Sequence, residues 1–316
     1  MKALITGISG FAGSHLAEFL INKGYEVFGT FYDKSTFSNL DDIIDKIEIF
    51  RCDIRSYNKL KKIIEKVQPC EIYHLAAISF VPTSLKNPKL TFDTNLYGSL
   101  NLYQAVIEQK INSKILFVGS ADEYGLVKNS DLPIREDCPL RPINPYSISK
   151  VSADFLSYFY FKNCNLNIIR VRPFNHIGPR QSPEFVCSNF AKQIAEIEKG
   201  LKEPIIKVGN LEAKRDFTDV KDMVRAYWLA IQKGKTGEVY NICSKRAIQI
   251  KELLNTLLEL SSKKIEIMKD LERMRLSDNP ILEGDSSKFK NKTGWRTEIS
   301  LEKTLQSILN YWREKI

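Results

Sequence analysis

The chain has 316 residues, and at roughly 150 residues per domain that length points to about two domains with a substantial core. Hydrophobic residues make up 43% and charged residues 27%, ordinary globular usage that excludes a mainly disordered or fibrous chain. The 47 Lys and Arg exceed the 38 Asp and Glu to give a formal charge of +9, and no apolar run approaches the roughly 18 residues of a membrane span.

The opening run MKALITGISGFAG is broken by Gly7, Gly10 and Gly13 before it could serve as the apolar stretch of a signal peptide. Six widely spaced cysteines form no CxxC pair and read as small apolar residues of a reducing compartment. A cytoplasmic protein with no membrane partner is therefore expected. The basic residues are interleaved with apolar ones, as in Lys59, Lys61, Lys62 and Lys66 around Leu60, Ile63 and Ile64. That pattern is a solvated helix face, so no nucleic-acid partner is expected from the charge.

Taken in chain order, β-rich runs at Lys2 to Thr6, Glu26 to Phe31, Ile47 to Cys52, Glu71 to Leu75, Lys114 to Val118 and Asn167 to Val171 are separated by helical stretches. This alternation means βαβ units. With right-handed crossovers the fold class is α/β, a Rossmann-type doubly wound parallel sheet. After Pro173 helical patterns at Ser188 to Leu201, Val220 to Gln232 and Ile250 to Leu260 alternate with short strands at Glu238 to Ile242 and Lys264 to Met268. The reading is a nucleotide-binding domain over 1–171 and a smaller α/β substrate domain over 172–316, with the strand near 238–243 a candidate to return to the sheet.

The first strand runs directly into Thr6-Gly7-Ile8-Ser9-Gly10-Phe11-Ala12-Gly13, which opens a helix carrying Leu16, Phe19 and Leu20. Glycines there permit a tight turn, approach of a pyrophosphate to the backbone and close helix–strand packing, while the helix N-terminus offers N–H groups and positive dipole. The spacing is GxxGxxG in place of GxGxxG, so the strand-before, helix-after context carries the reading. After the second strand, Tyr32-Asp33-Lys34 gives neither a clean carboxylate for the ribose of NAD nor an arginine for the phosphate of NADP. Asp53, after the third strand, is a candidate for the adenine end.

Tyr146 and Lys150, four apart in a helix starting near Pro145, share one face, and an ammonium beside a phenol favours the phenolate. Ser120 follows the strand Lys114 to Val118, at the strand ends that face the ligand crevice, where a hydroxyl can orient a carbonyl oxygen. Leu75, Ala76 and Ala77 after His74 place small residues beside a cofactor, and Asn95 completes the pattern.

With TGISGFAG, the CDI of Cys52 to Ile54, the HLAA starting at His74, Ser120, and PYSISK ending at Lys150, the chain resembles the extended short-chain dehydrogenase/reductases that modify nucleotide sugars. The resemblance covers nearly the whole chain. It implies NADP(H) or NAD(H) held by Gly7, Gly10, Phe11, Gly13, Asp53, Ile54, Leu75, Ala76, Ala77 and Asn95 together with Tyr146 and Lys150. It further implies proton transfer at a sugar C4 oxygen by Ser120, Tyr146 and Lys150. The stretches Arg172 to Gln181 and Gly209 to Phe217 look like the branch that contains GDP-mannose 4,6-dehydratase and GDP-4-keto-6-deoxy-mannose reductase. That branch implies a GDP-sugar, with Asn175, Arg180, Val208, Arg215 and Arg275 as substrate-binding candidates and the two arginines Arg215 and Arg275 on the diphosphate.

Dehydratases of this kind carry a Glu two positions after the catalytic Ser or Thr, where this chain has Asp122. The missing methylene withdraws the carboxylate by about 1.5 Å, and a displacement of that size costs on the order of 100-fold in rate. Glu123 is expected on an extended segment and so to face the other way. The expected activity is therefore reduction of the C4 ketone of GDP-4-keto-6-deoxy-mannose, giving GDP-rhamnose or its 6-deoxy-talose epimer. The competing readings are a 4,6-dehydratase or 4-epimerase on the same fold, and a non-catalytic RNA-binding or sensing member. With three histidines and no paired cysteines, no metal site is expected. The apolar helices around Leu96 to Ile107 and Tyr146 to Tyr160 look like the pair through which family members dimerise as a four-helix bundle.

Overall fold

The computed structural model describes residues 1–270 and 279–316. Its first half alternates strands β1 (Lys2–Thr6), β2 (Glu26–Phe31), β3 (Ile47–Arg51), β4 (Glu71–His74), β5 (Lys114–Val118) and β6 (Asn167–Pro173) with helices α1 (Phe11–Asn22), α2 (Tyr57–Val67), the short α3 (Val81–Lys86) and α4 (Pro88–Phe92), α5 (Gly98–Glu108) and α6 (Pro145–Cys164). The second half runs β7 (Asn175–Ile177), α7 (Val186–Glu198), β8 (Ile205–Val208), β9 (Lys214–Asp219), α8 (Val220–Lys233), β10 (Val239–Ile242), β11 (Ala247–Gln249), α9 (Ile250–Glu259), β12 (Glu266–Lys269), β13 (Ile281–Leu282), α10 (Ser287–Thr293) and α11 (Leu301–Lys315).

Strands β10-β6-β5-β4-β1-β2-β3 form, in that spatial order, one seven-stranded sheet in which every pair is parallel. A parallel sheet needs cover on both faces, which is why its strands read as continuous apolar runs. On one face Leu16 and Leu20 of α1 and Met223, Val224 and Tyr227 of α8 pack on Ile5, Leu116 and Val171. On the other, Leu60 and Ile64 of α2, Leu102 and Val106 of α5, and Ala153 of α6 pack on Leu4, Ile115 and Ile168. The lysines of α2 lie off its packed stripe, with Lys59, Lys62 and Lys66 exposed.

β10 takes its place beside β6 with Val239 opposite Arg170 and Ile242 opposite Pro173. The boundary drawn near residue 171 thus falls inside β6, and α8 and β10 rejoin the sheet from the second half of the chain. The rest of that half packs around α7, α9 and α11 with β8 and β9, through Ile194, Ile206, Leu254 and Leu309. Strands β11, β9 and β13, with β7 beside β9, form a smaller sheet, and β12 pairs with β8. Not all cysteines are core residues: Cys52, Cys187 and Cys243 are buried, Cys138 is half-buried, and Cys70 and Cys164 are exposed. Among the described residues no helix is long and apolar enough to cross a membrane.

Candidate active site

The chain moves outward from β1 through β2 to β3 and then returns through β4 to β6 on the other side, so a crevice opens at the carboxyl ends of the strands. A cavity of about 540 Å³ occupies it. Its wall collects Gly7, Gly10, Phe11 and Gly13 from the first turn, Asp53 and Ile54 after β3, and Leu75, Ala76 and Ala77 after β4. Ser120 and Asp122 after β5, Tyr146 and Lys150 of α6, and Asn175 of β7 line it as well.

The glycine turn is fixed by contact distances. Gly7 has φ +75°, and a Cβ there would stand 3.0 Å from the Cα of Ala76; a Cβ on Gly13 would stand 2.2 Å from the carbonyl oxygen of Gly7. Any side chain at either place forces the turn apart. Gly10 differs: its Cβ would meet only the Gly7 oxygen at 3.2 Å, so the missing side chain opens the backbone to the cavity at the N-cap of α1. That cradle, with helix dipole and free N–H groups behind it, fits a pyrophosphate. The loop after β4 is held against it by a buried chain of hydrogen bonds. Ser99 donates to Asn95 O at 2.7 Å, so the His74 Nε2–H donates to Ser99 Oγ at 2.9 Å and Nδ1 accepts from Thr6 Oγ1 at 2.8 Å. Thr6 in turn accepts from Ala76 N at 3.2 Å. Burial, then the Lys150 charge, lower the His74 pKa to about 3, so the ring is neutral and structural.

At the far rim, Asp33 accepts the N–H of Ser35 at 2.7 Å and also its hydroxyl, and Asp53 accepts from Arg55 Nε at 2.9 Å. Hydrogen bonds from Ser35 and from Arg55, respectively, hold the two carboxyls below their ordinary range. Both carboxylates and the Arg55 guanidinium line the cavity, so the rim offers groups for a ribose and for a phosphate alike.

Helix α6 starts where Asn144 Oδ1 accepts from Ser147 N at 2.8 Å and Pro145 takes the first position, which sets the phase of Tyr146 and Lys150. Both side chains are buried and face the strand tips. Lys150 Nζ donates to Val118 O at 2.7 Å. Burial lowers its pKa to about 8, partly opposed by the charge of Glu123. The Tyr146 phenol shares a hydrogen bond with Ser120 and is pushed far above its ordinary range by burial first and the Asp122 charge second. The free protein thus holds a protonated phenol, in contrast to the expectation that Lys150 draws it toward phenolate.

The segment after Ser120 is a helical turn (Ala121–Tyr124), not an extended strand. Ser120 Oγ accepts from Asp122 N at 3.1 Å while Glu123 Oε1 accepts from Ser120 N at 2.8 Å, a reciprocal capping box. Glu123 is fully buried, and its Oε2 accepts from Arg172 Nε at 2.9 Å. Arg172 Nη2 also donates to Asp154 at 2.5 Å, and Arg170 Nη1 donates to the other Asp154 oxygen at 2.8 Å. A buried network of four ionisable groups therefore underlies the turn, and the S-x-x-E spacing of Ser120 to Glu123 was the sequence signal of its capping box.

Several expected ligands stand elsewhere. Arg180 does not line the cavity: its guanidinium donates to Glu18 at 2.6 and 3.0 Å, to Asn39 O at 2.9 Å and to His15 Nδ1 at 2.6 Å, clamping the loop after β7 onto α1. Val208 is buried in the core of the second half, and Arg215 donates to Asn279 O at 2.8 Å from β9. Asn95 is buried one step behind the wall, where it accepts from Ile78 N at 2.8 Å and donates to Ile78 O at 3.0 Å. Arg275 lies outside the described residues. Conversely, Thr30, His176, Gln181 and Tyr227 line the cavity without having been singled out. His176 stacks on Phe11 with ring centroids 5.7 Å apart, and no local spacing marks either contact.

Comparison with known proteins agrees with this geometry. The model of the GDP-mannose 4,6 dehydratase family matches residues 4–308. GDP-6-deoxy-D-mannose reductase of Pseudomonas aeruginosa is 32% identical over 320 residues, which cover 100% of this chain and 98% of that protein. GDP-mannose 4,6-dehydratase of Yersinia enterocolitica is 32% identical over 341 residues, covering 95% and 91%. The solved structure of Pseudomonas aeruginosa RMD complexed with NADPH superposes with a TM-score of 0.88 at 31% identity and covers 100% of this chain and 99% of its own.

Proposed function

The chain belongs to the GDP-mannose 4,6 dehydratase family, and within it we propose that it is a nucleotide-sugar ketoreductase acting on GDP-4-keto-6-deoxy-D-mannose. The observation that carries this reading is the turn after Ser120. The carboxylate it turns to the cavity is the short one of Asp122, while the longer Glu123 is committed to Ser120 N and Arg172 below the surface. A base with the reach to take a C5 proton is therefore lacking from this turn, and C4 reduction needs none.

The glycine turn, the Asp33 and Asp53 rim and the Tyr146 end of the cavity would hold NADPH or NADH, which when bound would supply the hydride for C4. Tyr146, protonated in the resting site, gives its proton to the C4 oxygen. Ser120 hydrogen-bonds the same oxygen and Tyr146, fixing the line of transfer. Lys150, anchored on Val118 O, places positive charge behind the phenolate that remains. Asn175 contacts the sugar at the mouth of the cavity. The product is GDP-D-rhamnose or the 6-deoxy-talose epimer, according to the ketone face presented.

Residues 1–171 supply most of the cofactor site, with Tyr227 of α8 added to its wall from the second half of the chain, and 172–316 supply most of the nucleotide-sugar site. Exposed Tyr97 before α5 and Ile148, Phe155 and Phe159 on α6 form an apolar face suited to a homodimer in which α5 and α6 of two chains make a four-helix bundle, testable by light scattering. Free and exposed Cys70 and Cys164 suit the reducing cytoplasm.

The test is cofactor consumption by the purified protein, given the keto sugar and, separately, GDP-mannose, with products identified by NMR. Oxidation of NADPH or NADH with the keto sugar alone is the expected result. Conversion of GDP-mannose to the keto sugar without net oxidation would replace the reductase with a dehydratase.

A further inference from the structure

The cavity wall contains a buried phenol that the reaction above leaves unused. Tyr227 lies in the middle of α8, is fully buried, and packs on the α1 side of the sheet, whereas Tyr146 and Lys150 approach from α6 on the other side. Its hydroxyl has no hydrogen-bond partner among the described residues. The ring nevertheless lines the cavity, near enough to Tyr146 for that phenol to disfavour its ionisation, after burial itself. Tyr227 therefore keeps its proton and is a hydrogen-bond donor with nothing in the free protein to donate to.

A buried hydroxyl without a partner opposes folding, and a phenylalanine of nearly the same shape would fill the position without that penalty. The hydroxyl is thus explained by something that enters the cavity. The order of groups along the wall says what that is. Asp33 and Asp53 mark one end, the glycine turn the middle, and Tyr146 the reactive end. A dinucleotide laid along this line puts its nicotinamide ring at the end where Tyr227 stands. The ring carries one strong acceptor, the oxygen of its carboxamide.

We propose that Tyr227 anchors that carboxamide, its O–H donating to the amide oxygen. The contact gives the ring a second fixed point besides the pyrophosphate, stops rotation about the glycosidic bond, and so selects the ring face presented toward Tyr146. This inference rests on the reading that a nicotinamide dinucleotide binds here, and it assigns Tyr227 a positioning role in that binding.

The test is Tyr227→Phe, read by equilibrium binding with no sugar present. NADPH and NADH are titrated against 2′-phospho-ADP-ribose and ADP-ribose, which lack the nicotinamide, and against the thionicotinamide analogues, whose sulfur accepts hydrogen bonds weakly. One lost hydrogen bond corresponds to roughly 3- to 10-fold weaker binding of the intact cofactor. The ADP-ribose compounds should bind the variant and the wild type equally. Wild type should bind the thio analogue more weakly than the natural cofactor, and the variant should lose that distinction. The thermal midpoint of the free variant should equal or exceed that of wild type, because no bond is lost. Unchanged affinity for the intact cofactor overturns the proposal. An equal loss with the ADP-ribose compounds, or a lowered midpoint, also overturns it by showing a packing role. Wild type that binds no nicotinamide nucleotide at all would overturn the cofactor reading itself, an outcome separate from these.

Discussion

Replacing Arg172 with methionine tests whether the buried charges under Ser120 hold the turn in place. Arg172 is 5% exposed, and its guanidinium reaches Glu123 Oε2 at 2.9 Å, Asp154 Oδ2 at 2.5 Å and Tyr124 OH at 3.2 Å. Methionine keeps much of the apolar volume and removes the charge. Asp154 retains Arg170, but Glu123 loses its cation. Breaking a buried pair from one side costs about 3–5 kcal/mol. The lower end applies here, because Asp154 stays paired and Glu123 can keep a proton. Its pKa is already raised, by burial first and by Asp154 second, against the lowering influence of Arg172. At about 2 °C per kcal/mol for a chain of this size, the thermal midpoint should fall by about 6 °C.

The pH dependence identifies the cause. Without Arg172 the native pKa of Glu123 climbs further above its unfolded value, so the folded protein holds a proton that the unfolded chain has released over a wider range. Stability then falls more steeply with rising pH, and the deficit of R172M should be larger at pH 9 than at pH 6. Adding Glu123→Gln should remove that extra slope, a non-additive result expected of groups in one network. Urea unfolding midpoints across pH 6–9 measure both effects. A deficit below about 1 kcal/mol, or one that does not change with pH, would refute the electrostatic account.

Three further outcomes follow from the same site. Glu123→Gln alone should leave a protein whose advantage in stability over wild type grows from the ordinary carboxylate range upward and levels off above the raised native pKa, as urea midpoints would show. Tyr146→Phe should lower turnover with the keto sugar by about 10²- to 10⁴-fold, the contribution of a positioned acid, while NADPH affinity stays within about twofold; full activity would remove Tyr146 from the mechanism. Asp122→Glu restores about 1.5 Å of reach and should raise conversion of GDP-mannose to the keto sugar by up to about 100-fold, read by NMR. No gain would mean that the turn, and not the length of the carboxylate, decides between reduction and dehydration.

What could be read from the sequence depended on how local its cause was. Strands β1, β2 and β5 begin and end where their apolar runs do, because parallel strands buried on both faces leave that signature in their own residues. The glycine turn and the Tyr146 and Lys150 face are equally local, set by spacings of three and four. Arg180 looked like a ligand for an anion because its partners Glu18 and His15 lie far away in the chain, and no short pattern reports that pairing. Tyr227 was hidden for the opposite reason: with Val220, Met223 and Val224 it forms a regular buried stripe of α8, and only the unpaired hydroxyl separates it from a core residue.

Glu123 shows how a local signal can be present and its meaning lie in the tertiary structure. An extended segment would have turned Glu123 from the cavity by strand alternation. The helical turn does so by another route, folding the carboxylate back onto Ser120 N, where Gly119 leaves it room: a Cβ on Gly119 would stand 2.2 Å from Glu123 Oε1. The S-x-x-E box explains that fold-back, but not how an ionisable carboxyl comes to be buried there. The buried carboxyl is tolerated because Arg172, 49 residues on, reaches it from β6, and Arg172 is itself held by Asp154 on α6, the helix that carries Tyr146 and Lys150. One network therefore fixes the Ser120 backbone and ties β6 to the catalytic helix. It also withholds from the cavity the carboxylate that sequence position alone would have made the nearest substitute for the missing dehydratase base.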